Sequence, residues 1–293
     1  MPVGLIRKAS RFKTIRIMLI SVITPSFRQL QWLKLCVASV ADQEGTPHEH
    51  IVQDAGTGPE LEAWAQSIPK LALYVEKDSG MYDAINRGLH RASGSICSYL
   101  NSDEQLLPGA LGEVNSFFDK NPSVDVLFGD VILTGIDGTP LSYRRTILPT
   151  LSHVRSAHLN TPSCATFFRR TLVDRGFLFD PQWKTIGDQV WIENLLRAGI
   201  RMATLGEPLA VFTFTGDNLG ATTASQQEML RRRGRESLIG SLRKAIVVAG
   251  HRIRKLCAGA YKFRCVDIEI FTLDSPTLRQ RRQRRIGFSW PRN

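Results

Sequence analysis

Two rhythms of apolar residues alternate along the first half of the chain. The run at 17–24, IMLISVIT, is short, β-branched and followed by Pro25, which predicts a buried strand. Leu30, Leu33, Val37 and Val40 then fall at helical spacing over 30–40. A short strand over 49–52 ends at Gln53-Asp54, a helix follows over 60–68, and a strand over 71–75. Met81, Ile85, Leu89 and Ala92 give 81–92 a helical face, on which Asp83 and Arg87 make an i,i+4 pair. A strand over 96–100, a helix opened by Pro108, a strand over 124–133 and a turn at 136–139 complete the pattern. Strands alternating with helices predict a parallel α/β sheet. Ligands of such sheets bind at the carboxyl ends of the strands. Thr24-Pro25-Ser26, Asp54, Asp78 and Asn101-Ser102-Asp103-Glu104 all follow strands at that edge.

The formal net charge of +11 is unevenly placed. Residues 229–293 hold 17 Lys/Arg and 4 Asp/Glu, which leaves 21 basic and 23 acidic residues for the rest. Basicity therefore describes the C-terminal segment and not the ligand of the body. In that segment Leu238, Leu242, Ile246, Ile253, Leu256 and Ala260 sit at roughly helical spacing with Arg243, Lys244, Arg252, Arg254 and Lys255 between them. A basic amphipathic segment reads as an anionic-membrane binder, and RQRRQRR with Phe288 and Trp290 adds an interfacial anchor. Three parts are expected: an extension at 1–17, a body at 18–228 whose ligand-binding half ends near 135, and a basic appendage at 229–293. The body is expected to fold without the appendage. No stretch of 18 apolar residues predicts a membrane span. Five cysteines, Cys36, Cys97, Cys164, Cys257 and Cys265, form no C-x-x-C pair, which favours reduced thiols in a cytosolic setting.

Carboxylates gathered at strand ends repel one another unless positive charge lies between them. A divalent cation, with hydroxyl or amine groups of a ligand, is the usual occupant. There is no G-x-x-x-x-G-K-[ST] and no G-x-G-x-x-G, so phosphate would be held through metal rather than a glycine loop.

The order of SVITPSF (21–27), HIVQDAGTG (50–58), EKDSGMYDAINRG (76–88) and YLNSDE (99–104) resembles the nucleotide-sugar half of inverting family-2 glycosyltransferases, in the branch of bacterial surface-polysaccharide synthesis. PSCATFFRR (162–170) and GFLFDPQWKTIGDQVWIENLLRAG (176–199) resemble that branch's acceptor half. The resemblance covers roughly 17–220. It implies a GT-A-like nucleotide-sugar-binding sheet flanked by helices, with the basic helical segment as an appendage. It implies that Thr24, Pro25 and Ser26 line the base pocket, that Asp54 contacts a uracil-like base, and that Asp78 lies near base and ribose. Asn86 and Arg87 would lie near the diphosphate. Asn101-Ser102-Asp103 would take the D-x-D position, with Asp103 on Mn²⁺ or Mg²⁺, and Asp188 would be the general base. The chain departs from the pattern at Asn101, at Glu104, at Ala55-Gly56-Thr57-Gly58, which lacks a later acid, and at Ser163-Cys164, where a His-Gln pair is frequent.

Bland alternatives stand beside these roles. Asp54 and Asp78 fit turn formers, Asp188 fits a helix cap, and Arg87 fits a partner of Asp83. Trp183 and Trp191 read as core, and His153 and His158 as loop residues. The expected partners are a nucleotide-sugar donor, most simply uridine diphosphate linked, a lipid-linked or glycan acceptor, and an anionic membrane surface on the cytoplasmic side. A nucleic-acid-binding protein using the arginine-rich end is the alternative from another class, opposed by the acidic crevice. A sugar nucleotidyltransferase is a third, opposed by the missing glycine- and lysine-rich loop.

Overall fold

The computed structural model describes residues 17–216, 223–233 and 238–289. Residues 1–16 of the expected extension, and Trp290, lie outside them.

β1 (Ile20–Ser26) is buried at every position, as its unbroken apolar run requires. It pairs in parallel with β2 (His48–Asp54) on one side and β4 (Ile96–Tyr99) on the other, and β3 (Leu71–Val75) extends the parallel set. Three helices connect these strands: α1 (Leu30–Ala41), α2 (Pro59–Gln66) and α3 (Met81–Arg91). α3 buries Tyr82, Ile85 and Leu89 along one face. A Cβ on Gly88 would come 2.4 Å from Ile23 Cγ2, so the helix can lie this close to β1 only with glycine there.

Beyond β4 come β5 (Glu104–Leu106), α4 (Ala110–Lys120), β6 (Val126–Thr134), β7 (Pro140–Arg144), α5 (Leu151–Ser156), β8 (Thr166–Arg169), α6 (Thr171–Asp174), α7 (Gly187–Arg197) and β9 (Met202–Thr213). The spatial order is β3-β2-β1-β4-β8-β6-β9-β5, with β7 on β6. The sheet is mixed rather than parallel throughout. β8 runs antiparallel to both β4 and β6, and β5 antiparallel to β9. Alternate side chains of the central strands feed two cores. Ile20, Val22 and Ile96 join Leu111, Val114 and Phe118 of α4, whereas Ile23, Cys97 and Tyr99 join Ile85, Leu89 and Trp191.

The basic C-terminal segment departs most from the sequence reading. α8 (Thr223–Arg233) and α9 (Leu238–Cys257) are helical, but the chain then turns into a β-hairpin of β10 (Arg264–Thr272) and β11 (Ser275–Ile286). The arginine-rich run is thus a strand, not part of a helical appendage. Val266-Asp267-Ile268-Glu269-Ile270 alternates with period two. Its apolar side is buried against Leu107, Ile132, Tyr143 and Val211. Two hydrogen bonds join the Gln105 amide to the Phe271 backbone, both 2.9 Å. Arg279 pairs with Asp42 of the body, and Arg281 with Asp267. Ile132 and Val211 of the body thus share one core with Val266, Ile268 and Ile270, across the boundary expected at 228/229. α9 lies against α5 through His153, whose ring stacks on His251 at 3.6 Å with His158 edge-on at 4.9 Å. His153 is thus a buried helix residue rather than a loop histidine. Arg254 also donates to the Leu148 carbonyl (2.7 Å).

Candidate active site

The strand ends meet as the sequence implies, but not all the named side chains point into the crevice. Thr24 is buried, and its hydroxyl meets His50 Nε2 at 2.8 Å and Cys36 Sγ at 3.5 Å. Its side chain holds β1 to its neighbours. The Pro25 carbonyl accepts from Ser102 Oγ (3.0 Å), which ties the loop after β4 to the end of β1. Ser26 Oγ and Asn101 Oδ1 are both buried with no hydrogen-bond partner. Buried polar atoms are rarely left so, and both lie at the carboxyl edge, where the register Ile23↔Tyr99 brings the two chain segments side by side.

Asp54 closes its own loop. Its carboxylate accepts from Gly56 N, Thr57 N and Thr57 Oγ1 at 2.8, 2.6 and 2.6 Å. Thr57 Oγ1 in turn accepts from Arg28 N (2.8 Å), so the loops after β1 and β2 form one wall. An open cleft of about 410 Å³ lies over this wall, between Arg28, Leu30, Thr57, Gly58, Pro59 and Glu60. Asp78 accepts from Gly80 N (2.9 Å). Burial, with the charges of Asp83 and Asp54, raises its pKa above the usual value, although that bond and Arg87 oppose the rise. Gly80 has φ +132°, a conformation that only glycine takes without strain, and it turns the chain from this loop into α3.

Arg87 and Asn86 do not present free side chains to a diphosphate. Arg87 is held by Asp83 at 3.1 Å and Glu76 at 3.4 Å. Asn86 donates to the Phe179 carbonyl (2.7 Å) and accepts from Phe179 N (3.0 Å), so it clamps α3 to the segment leading into α7.

Asp103 and Glu104 stand together where β5 begins. Burial raises the Asp103 pKa. Burial and the charge of Asp103 push Glu104 well above the ordinary carboxylate range. Glu104 is fully buried and accepts from Asn101 N (2.8 Å), closing the turn that presents Asn101 and Asp103. Ser163 Oγ reaches Glu104 from the far side at 3.5 Å. Among the described residues, no group of three or more His, Cys, Asp or Glu is arranged to hold a metal ion by itself.

Ser163 also lines a narrow cleft with Tyr99, Thr161, Thr166, Trp191 and Asp188. Asp188 sits in the first turn of α7, where its Oδ1 accepts from Gln189 N (2.7 Å) and from the Tyr82 hydroxyl (3.2 Å). Burial raises its pKa, and those two bonds work against the rise. Burial and the charge of Asp188 keep Tyr82 protonated far above neutral pH, so it remains a donor. Its ring is fixed by stacking on Phe179 at 5.6 Å and by Gly187, where a Cβ would lie 2.6 Å from the ring. Trp191 is buried between Phe168 and Phe179, a core residue as expected, and Trp183 is half-buried beneath Arg231. The approach to α7 is fixed by Glu228 of α8, which accepts from Lys184 N, Thr185 N and Ile186 N. Lys184 Nζ donates to the Ser79 carbonyl (2.6 Å), joining this approach to the loop of Asp78. The sequence reading missed Tyr82, Tyr99, Ser163, Lys184 and Glu228 as contributors.

The arrangement runs from a carboxylate pair and two unpartnered oxygens, through Ser163 and Tyr99, to a third carboxylate of raised pKa. Carboxylate and amide oxygens of this kind can hold a cation, and a carboxylate of raised pKa can withdraw a proton.

The model of the family described as "Glycosyl transferase family 2" matches residues 21–176. An uncharacterized glycosyltransferase of Mycobacterium tuberculosis is 31% identical over 198 residues, which are 66% of this chain and 71% of the relative. TuaG of Bacillus subtilis, named for teichuronic acid biosynthesis, is 26% identical over 211 residues, or 69% of this chain and 82% of its own. Among solved structures, S. aureus TarS 1–349 in complex with UDP-GlcNAc superposes with a TM-score of 0.54 at 20% identity, over 73% of this chain and 64% of that one. The mannosyltransferase PcManGT from Pyrobaculum calidifontis, in complex with GDP-Man and Mn²⁺, gives 0.55 at 16%, over 77% and 67%. At these identities the structural likeness concerns the fold.

Proposed function

Because the chain belongs to glycosyl transferase family 2, we propose that it moves a sugar from a nucleotide diphosphate donor, most simply a uridine diphosphate sugar, to a hydroxyl of a lipid-linked or glycan acceptor. The transfer is a single displacement that inverts the anomeric centre, on the cytoplasmic side of the membrane. The observation that carries this reading is that Glu104, which closes the turn bearing Asn101 and Asp103, is reached by Ser163, and that Ser163 lines a cleft with Asp188. In this reading the turn of Asn101 and Asp103 receives the donor's phosphates and Asp188 is the base.

The donor set fits a hard cation. Asp103 offers a carboxylate, and Asn101 Oδ1 is a buried oxygen with no other partner. Mg²⁺ and Mn²⁺ accept such oxygens and complete their shells with phosphate and water. A bound cation would supply charge neutralisation for the departing nucleotide. Asp188 takes the acceptor proton as the acceptor oxygen bonds to the anomeric carbon, and the bond to the diphosphate oxygen breaks with its electron pair. No G-x-S-x-G nucleophile is present to argue for a covalent intermediate. The cleft over Arg28 and Thr57 has the size of a small-ligand site and is the proposed seat of the base. Asp54 stiffens its wall through the Gly56 and Thr57 bonds.

A donor panel tests the reading. Purified protein with Mn²⁺ is incubated with uridine and guanosine diphosphate sugars, and thermal unfolding and nucleotide release are followed. One donor is expected to raise the unfolding midpoint only when metal is present. A panel without effect, or pyrophosphate release from a nucleoside triphosphate and a sugar phosphate, would sink it.

Tyr82→Phe separates a base from a cap. Removing the donor to Asp188 destabilises the ionised carboxylate, so its pKa rises further. The acid limb of kcat/KM should then move to higher pH, with donor affinity and unfolding midpoint near those of the parent. An unmoved limb would mean that the Tyr82 hydroxyl does not tune the base.

A further inference from the structure

α9 is turned inside out relative to an ordinary surface helix. At about 100° per residue, Leu242, Ile246, Ile253 and Leu256 fall on one stripe, with Ala245 and Ala249 between them. The four large residues are 66, 66, 62 and 65% exposed, and both alanines are exposed. The opposite side carries His251, buried against His153 of α5. The apolar stripe thus faces away from the protein. Arg243 and Arg252 are exposed on either side of it, roughly a quarter-turn away each. The sequence from 238 to 257 contains Arg243, Lys244, Arg252, Arg254 and Lys255 and no Asp or Glu.

We infer that the outward stripe of α9, between Arg243 and Arg252, lies in the plane of an anionic lipid surface. Four long aliphatic side chains in a row on solvent cost free energy unless something apolar covers them. A second copy of the helix is a poor cover, because each copy brings Arg243 and Arg252 to the edges of the contact and α9 has no Asp or Glu to meet them. Anionic lipid offers both an apolar layer for the stripe and negative headgroups for the flanking arginines. No described helix is long and apolar enough to cross a membrane, so the contact is in-plane. The twenty residues of α9 would lie along about 30 Å of surface. In the arginine-rich strand β11, Arg279 and Arg281 are tied to Asp42 and Asp267, Arg284 donates to the Pro140 carbonyl, and Ile286 is buried. The inference deepens the proposed function by naming the surface on which a lipid-linked acceptor is met, and it rests on that reading only for this consequence.

The test uses the full chain with vesicles of phosphatidylcholine alone and of phosphatidylcholine mixed with phosphatidylglycerol. Co-sedimentation is expected with the mixed vesicles only, and it should weaken as salt rises. Ile246→Gln with Ile253→Gln should lower the partition coefficient about tenfold or more. Arg243→Gln with Arg252→Gln should lower it and flatten its salt dependence. All four positions are exposed, so the unfolding midpoint should hold, as should donor-dependent nucleotide release without vesicles. Release that fails in the parent while vesicle binding stands would count against the activity and not against the surface. Parent protein that ignores both kinds of vesicle overturns the inference, and so does equal binding by both double variants. It is likewise overturned if sedimentation velocity finds a dimer that the isoleucine variants dissociate, or if the parent shifts RNA and ignores lipid.

Discussion

Asp188→Asn is expected to lower sugar transfer by ~10²-fold or more, the usual scale of general-base help, while the donor binds as before. The substitution is nearly silent in shape. An asparagine Oδ1 can accept the same bonds from Gln189 N and the Tyr82 hydroxyl, so the first turn of α7 loses nothing as a helix start. Only the capacity to take a proton disappears. Initial rates with saturating donor and varied acceptor, beside calorimetric donor affinity, make the comparison. A variant that keeps most of its rate at neutral pH would show Asp188 to be a cap and would place the base elsewhere.

Asp103→Asn should abolish transfer and weaken the joint binding of Mn²⁺ and donor beyond calorimetric detection. The folded protein should be no less stable. Burial raises the pKa of Asp103. A carboxyl raised in this way contributes stability below its unfolded pKa and loses that contribution as pH climbs through the folded value. At neutral pH its replacement by a neutral amide is therefore neutral or stabilising in the absence of metal. Loss of the charge also relieves Glu104, whose pKa should fall. An unfolding midpoint at or above that of the parent, together with lost metal and donor binding, is the expected pair of results. Unaltered Mn²⁺ binding would remove Asp103 from the metal role.

Asp54, Asp78 and Asp103 stand out in the sequence because each follows an apolar run, and parallel strands must bring such positions to one edge. What each carboxylate does there depends on which backbone amides reach it. Asp54 is engaged by the amides of Gly56 and Thr57, and nothing in QDAGTG distinguishes that from an open carboxylate. Tyr82 reads as one more apolar position of an amphipathic helix. Its role appears only when Gly187 and Phe179, about a hundred residues later, close on its ring. β5 gives almost no signal, since it is three residues long and begins with a buried glutamate. The hairpin did give one. The alternation Val266-Asp267-Ile268-Glu269-Ile270 is a strand pattern, but the surrounding arginines invite a helix and a charged surface. For α9 the periodicity finds the helix but not its orientation. An apolar stripe ordinarily faces the core, and here the stacked histidines reverse it.

Gln105 lies two positions from Asp103, and its amide grips the Phe271 backbone through both of its polar atoms. β5 and the C-terminal hairpin therefore cannot shift independently. The hairpin follows α9 after a few residues of chain. A pull exerted on the helix by a surface thus has a short mechanical route to the turn bearing Asp103, and the thermodynamics of such a route is two-way. Whatever factor lipid contact adds to donor affinity, a bound donor must add to lipid affinity, so a protein whose two contacts favour each other would dwell longer at the surface when loaded and leave more readily once emptied.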